Sequence, residues 1–155
     1  RFDDVISEME EAIRLDPKHA NALNYLGYSY ADRGVKLPEA VDLIQKALEV
    51  KPDDGYYLDS LGWAYYKQGR LDEALTELQR AVAVVSDDPV IHEHLGEIYY
   101  QKDLKMDAKK EWLRSLELDP KNEKLRKRFK EAGFGDPGPQ PAISRQSNQV
   151  PELSR

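Results

Sequence analysis

Among the residues able to do chemistry, the tightest cluster is His92, Glu93, His94 and Glu97. Imidazole and carboxylate groups at such spacing could hold a divalent metal. On a helix His94 and Glu97, three residues apart, share one face, while His92 points elsewhere. No second element supplies the remaining ligands, so the four read as ordinary polar helix residues. Ser60 beside Asp59 has no histidine placed near it in sequence, and no glycine-rich phosphate loop or paired-carboxylate cleft is present. With no cysteine in the 155 residues, thiolate catalysis, disulfides and Cys-ligated zinc are excluded. The reading is a non-enzyme without metal or cofactor. One cationic cluster stands out, Lys124, Lys127, Arg128 and Lys130. It reads as a solvated helix face, because a net charge of −6 disfavours phosphate binding.

What positions these residues is a repeat. Leu26-Gly27 with Tyr30 returns as Leu61-Gly62 with Tyr65 and as Leu95-Gly96 with Tyr99, while Ala40, Ala74 and Ala108 stand 34 residues apart. Each period holds two apolar patterns of helical spacing parted by a turn. A helix–turn–helix period of this length predicts a stacked helical solenoid. Mid-helix glycine is unfavourable by about 1 kcal/mol relative to alanine. It is expected where a neighbouring helix must come close, with Ala40, Ala74 and Ala108 as the matching small surfaces. Tyr30, Tyr65 and Tyr99 are expected to fill the space between adjacent units.

Both ends depart from the period. Residues 3–16 carry a stripe of Phe2, Ile6, Met9 and Ile13 and read as a second helix without its first, wanting a neighbour on its N-terminal side. Over residues 123–133 a cap helix is predicted, with Leu125, Phe129 and Ala132 inward and Lys124, Lys127, Arg128 and Lys130 toward water. Gly133-Phe134-Gly135 breaks it. Residues 134–155, with Pro137, Pro139, Pro141, Pro151 and several Ser and Gln, read as a disordered tail.

The leucine–glycine pair, the tyrosine three residues on, the steps Ala40/Ile44, Ala74/Leu78 and Ala108/Trp112, and the closing Pro52 and Pro120 all fall in phase. By these residues the chain resembles the tetratricopeptide repeat (TPR) family. Ser86 stands where the second unit should end in proline, Asp103 replaces a turn glycine, and Gly34-Val35-Lys36-Leu37 carries one extra residue. The resemblance implies an all-α, right-handed superhelical solenoid. Its units cover residues 20–54, 55–88 and 89–122, between a truncated unit over 1–19 and the C-terminal cap.

It also implies a concave groove lined by the first helices. The family register assigns to that groove Asn21, Asn24, Tyr25, Tyr28 and Asp32 from the first unit. The second contributes Tyr56, Asp59, Ser60, Trp63, Tyr66 and Lys67, and the third Val90, Glu93, His94, Glu97, Tyr100 and Gln101. Tyrosine and tryptophan bury much area at low entropy cost, which suits a surface that binds peptides. Asp32, Asp59, Glu93 and Glu97 against Lys67 suit a partner segment with apolar or aromatic anchors and basic flanks. Some family members clamp a C-terminal carboxylate; here those places hold Asn24, Tyr28, Ser60, Val90 and His94, so the clamp is absent.

The expected function is a protein-protein interaction module or scaffold. Two alternatives stand beside it. One is a targeting array of a larger multidomain enzyme with its chemistry elsewhere. The other is a scaffold that self-associates through the Phe2 stripe or through a tail carrying Ile143, Arg145, Val150, Leu153 and Arg155. Neither nucleic acid nor membrane insertion is expected, since no apolar run approaches the roughly 18 residues needed to span a bilayer. The stretches Leu58–Trp63 and His94–Glu97 are similar to bacterial TPR arrays, several of them of the cell envelope. That similarity implies a periplasmic or membrane-associated parent chain.

Overall fold

The computed structural model describes residues 1–139. The tail residues invoked for self-docking, Ile143 to Arg155, lie outside the described residues. Among the described residues there are eight α-helices and no strand: α1 (Phe2–Leu15), α2 (Ala20–Arg33), α3 (Leu37–Val50), α4 (Gly55–Lys67), α5 (Leu71–Val84), α6 (Pro89–Gln101), α7 (Lys105–Leu118) and α8 (Glu123–Glu131). Three pairs, α2–α3, α4–α5 and α6–α7, stack with α4 against both α2 and α3 and α6 against α5 and, less, α4; α1 lies against α2 and α8 against α7. The result is an all-α solenoid.

Starts of the first helices are fixed by side chains. His19 Nδ1 accepts from Ala22 N, Asp54 Oδ1 from Tyr56 N and Tyr57 N, and Asp88 Oδ1 from Val90 N and Ile91 N. Such caps satisfy amide groups that have no partner within the helix. Asn122 Oδ1 does the same for Leu125 N at the start of α8. The second helices α3, α5 and α7 start without a side-chain cap. There the backbone itself turns through a left-handed residue: Gly34 (φ 68°), Gly69 (φ 79°) and Asp103 (φ 61°). The amide next after each returns to a tyrosine carbonyl, Val35 to Tyr30, Arg70 to Tyr65 and Leu104 to Tyr99. The extra residue of the first turn is absorbed by a second left-handed position, Lys36 (φ 48°).

Close approach explains the glycines within the helices. A Cβ on Gly27 would lie 2.6 Å from Ile44 Cγ1 and 2.9 Å from the Ala40 carbonyl oxygen. One on Gly62 would lie 1.7 Å from Leu78 Cδ2, and one on Gly96 would meet the Trp112 ring at 2.3 Å. Ala40, Ala74 and Ala108 are all fully buried.

The tyrosines join units across a constant interval. Tyr30 Oη donates to Glu10 Oε1 (3.4 Å), while Gln45 and Gln79 donate to Tyr65 and Tyr99 (3.2 Å each). One core runs from Leu26 to Ile98, and a second gathers Trp112, Leu116, Leu125 and Phe129 at the C-terminal end.

Two expectations are corrected here. Arg128 does not face water with the other cations of α8: it turns inward to Glu97, which the register alone could not show. Phe134, read as part of a helix break and as the start of a disordered tail, folds back with its ring 5.3 Å from Phe129 and 5.8 Å from Trp112. A left-handed Gly133 (φ 87°) makes that reversal possible.

Candidate functional site: an aromatic groove closed at one end

Residues from α2, α4, α6, α7 and α8 line a half-open cavity of about 490 Å³. Trp63 is its centre. The indole stacks on the His94 imidazole (3.9 Å between centroids, 14° between planes) and on the Tyr66 ring (4.7 Å, 24°). Its Nε1 donates to Asp32 Oδ1 at 3.2 Å, and the Lys67 ammonium lies 5.3 Å from the ring centre. Tyr28 stands 6.3 Å from His94. α4 and α6 place these groups in one row because their first turns are capped in the same way, one period apart.

At the N-terminal side of this centre the groove is open. Tyr25 and Tyr56 are about half exposed, at 49% and 54%. Asn21 is exposed and accepts a hydrogen bond from buried Tyr57, a partner the register did not suggest. Asn24 Oδ1 is buried without a hydrogen-bond partner.

The C-terminal side is closed by α8. Glu97 accepts from Tyr66 Oη (3.2 Å), Gln101 Nε2 (3.1 Å) and the Arg128 guanidinium (3.3 and 3.4 Å). Arg128 lies 4.6 Å above Tyr100 and 5.3 Å from Trp112. Asn122 Nδ2 donates to Glu93 Oε2 at 3.2 Å, and Val90 and Lys124 line the same cavity.

Three assigned residues are withdrawn from the open surface: His94, which still edges the cavity, Asp59 and Ser60. Asp59 is buried and bound to His94 Nδ1 at 2.8 Å. Ser60 is buried and donates to the Tyr56 carbonyl at 3.1 Å. The Asp59–His94 pair therefore has no nucleophile presented to it by Ser60. Pairing across units depends on how far neighbouring helices approach, and sequence spacing does not carry that.

Electrostatics follow from the enclosure. Burial works against charge on His94, but Asp59, with Glu93 and Asp32, outweighs it and holds the imidazole above its ordinary value. Burial raises the Glu93 carboxyl. It also pushes the Tyr66 phenol up to about 12, helped by Glu97, and Tyr28 well above its usual range, helped by Asp32 and Asp59. Both phenols stay neutral, and Tyr66 donates to Glu97. The site can stack, donate hydrogen bonds and present carboxylates.

A second depression of about 520 Å³ runs along the outer face of α7, with exposed Met106 among alternating charges. His92 faces it, bridging the Ser86 carbonyl (2.7 Å) and Glu111 (2.6 Å), on the side of α6 away from His94. Among the described residues no three His, Cys, Asp or Glu converge to hold a metal. No described helix is long and apolar enough to cross a membrane.

Trp112, Asn122, Lys124, Leu125 and Arg128 are the groove residues that the register missed. The signal for α8 was present: the helix-capping residues His19, Asp54, Asp88 and Asn122 keep the period, which sets α8 as one further first helix.

Comparison with known proteins agrees with this architecture. The TPR repeat-containing protein PA4667 of Pseudomonas aeruginosa is 46% identical over 70 residues, 43% of this chain and 12% of that protein's length. The match thus covers a small part of that relative. The crystal structure of TTC0263, a TPR protein of Thermus thermophilus, superposes with a TM-score of 0.72 at 23% identity, over 83% of this chain and 71% of that one. MamA gives a TM-score of 0.68 at 22% identity, over 86% and 78%. The first TPR of Spaghetti (RPAP3), bound to the HSP90 peptide SRMEEVD, gives 0.68 at 24% identity, over 77% and 94%. Family models described as tetratricopeptide repeat and TPR repeat match residues 1–55 and 62–103. With the leucine–glycine period, the capped first helices and the stacked pairs, these matches place the chain in the tetratricopeptide repeat family.

Proposed function

We propose that this chain is a non-enzymatic protein-interaction module whose concave groove holds a peptide or an extended segment of a partner protein. One observation carries the reading: Tyr28, Trp63 and Tyr66 line one groove on the first helices, and Tyr25 and Tyr56 stand half exposed on α2 and α4. Buried aromatics with a polar edge are the usual anchors of such contacts. Asp32, Glu93 and Glu97 wall the row, so the segment it suits has apolar or aromatic anchors and basic flanks. The RPAP3 domain, of the same fold, is bound to a peptide. Its ligand SRMEEVD is rich in carboxylates, a polarity these walls oppose. The Pseudomonas relative supports a bacterial source, and we extend the proposal to an adaptor role within a longer envelope-associated protein.

The test is selection of a phage-displayed dodecapeptide library on the full chain and on a Trp63→Ala variant shown by circular dichroism to stay folded. Peptides with aromatic or aliphatic anchors and Lys or Arg flanks, bound at least tenfold more weakly by the variant, are expected. Equal binding by both proteins would move recognition off the groove.

A further inference from the structure

The closed end of the groove has a polarity and a shape of its own. Glu97 holds a carboxylate in place through Tyr66 and Gln101, at 3.2 and 3.1 Å. Beside it lie the rings of Tyr100 and Trp112, themselves stacked 5.5 Å apart. A fixed carboxylate next to aromatic faces matches a guanidinium, which is planar, donates from two nitrogens and is weakly hydrated. The chain places such a group there: Arg128 reaches Glu97 with Nε and Nη2 while its carbon centre lies 4.6 Å over Tyr100.

We propose that this corner is an arginine subsite, filled in the free chain by Arg128, and that a partner segment enters by putting an arginine of its own in that place. The inference rests on the groove-binding reading above and names the chemistry of one contact within it. α8 need not leave for the exchange. It is held by Leu125 and Phe129, almost fully buried, and by the Asn122 cap, none of which involves the Arg128 head group. Arg128 itself is one-third exposed along its side chain, and its contacts to Glu97, 3.3 and 3.4 Å, are long for a charge-assisted pair. Partly exposed ion pairs of this kind are weakly held, and the long side chain has a free path into water. Displacing it returns one cation to solvent and admits another, so the carboxylate never stands bare. A lysine would keep the charge but lose the planar stack and the two-nitrogen contact.

Ethylguanidinium is the probe, titrated at constant ionic strength into the full chain, with tryptophan fluorescence and thermal midpoint as readouts. Arg128→Met, which keeps the aliphatic stem, is the primary variant; Arg128→Gln serves if it folds poorly. Saturable binding in the millimolar range with a midpoint rise of a few degrees is expected in the variant. Binding at least tenfold weaker is expected in the wild type, whose own arginine competes, and none in Arg128→Met with Glu97→Gln. Equal responses of wild type and variant, or an equal response to uncharged ethylurea, would overturn the subsite. The dodecapeptides selected on the wild type give the second arm. Arginine-bearing peptides should bind Arg128→Met at least fivefold more tightly, and their Arg→Gln forms should lose that gain. Groove-dependent peptides indifferent to both changes would sink the subsite and leave the groove function standing. Peptides indifferent to Trp63→Ala would sink the groove function, and the ethylguanidinium result would still decide the subsite.

Discussion

The two edges of the groove have opposite fates. In the N-terminal halves of α2 and α4, Tyr25 and Tyr56 stand half exposed, and Asn24 carries an unpartnered oxygen. At the α8 end Tyr66, Tyr100, Glu93 and Glu97 are each engaged by the chain itself, chiefly through Arg128 and Asn122. The difference comes from the element next in sequence after each unit. Where a full pair follows, as over α2 and α4, Tyr25 and Tyr56 keep exposed rings, while Tyr28, Asp32 and Trp63 are drawn into the cavity. Beyond the last full pair comes a short basic helix whose side chains fold over it. Repeat position sets where a residue points, and the neighbouring unit decides whether it is available.

The largest effect should come from removing the support of the closed end. Trp112 is fully buried beneath Gly96, with its indole N–H on the Glu93 carbonyl. Trp112→Ala should destabilise the chain by about 3–5 kcal/mol in urea unfolding. Hydrogen exchange should rise first in α7 and α8 and last in α2 and α3. Uniform loss of protection would mean that the two ends are one cooperative unit.

At the open end, Gly27→Ala drives a methyl against the Ala40 carbonyl, a backbone atom that cannot swing aside. A loss of about 1–3 kcal/mol is expected. A change under about 0.5 kcal/mol, the range of an unstrained surface substitution, would show that the helices separate freely there.

The pair at the middle has a pH signature. Because His94 is held above its unfolded value, the stabilisation from its pairing with Asp59 is present in full below pH about 6.5. It is lost as pH rises through the folded value. Stability measured from pH 5.5 upward should therefore decline more in the wild type than in His94→Gln. Parallel curves would remove the charged pair from the account.

The smallest effect concerns the turns. The open-end unit turns on Gly34 and the closed-end unit on Asp103, both left-handed. Asp103→Gly should raise stability by roughly 0.5 kcal/mol, the left-handed strain relieved less the added chain entropy. Differential scanning calorimetry reads this as a small rise in midpoint, and a fall would show that the Asp103 side chain supports the turn through Lys105.

Much of the fold was legible because packing constraints repeat. Gly27, Gly62 and Gly96 mark where helices cross closely, and a disfavoured residue recurring after 35 and then 34 residues has few other causes. Placement of Tyr28, Trp63, Tyr66 and Glu97 around one cavity follows from the same phase. What the phase could not carry were contacts between non-equivalent positions. Asp59 with His94, Tyr57 with Asn21 and Arg128 with Glu97 each join different points of neighbouring units, so no recurrence announces them. Phe134 was hidden by glycines that read as a stop and in fact reverse the chain.

The tyrosine at each unit boundary also has a mechanical meaning. Pulled along the solenoid axis, the chain would bear load at three joints in series: Tyr30 on Glu10, Tyr65 on Gln45 and Tyr99 on Gln79. The first is the longest, and it ties down α1, a helix with no fully buried residue. Tension should therefore peel α1 away before any repeat pair yields, leaving the groove intact while the end of the spring lets out.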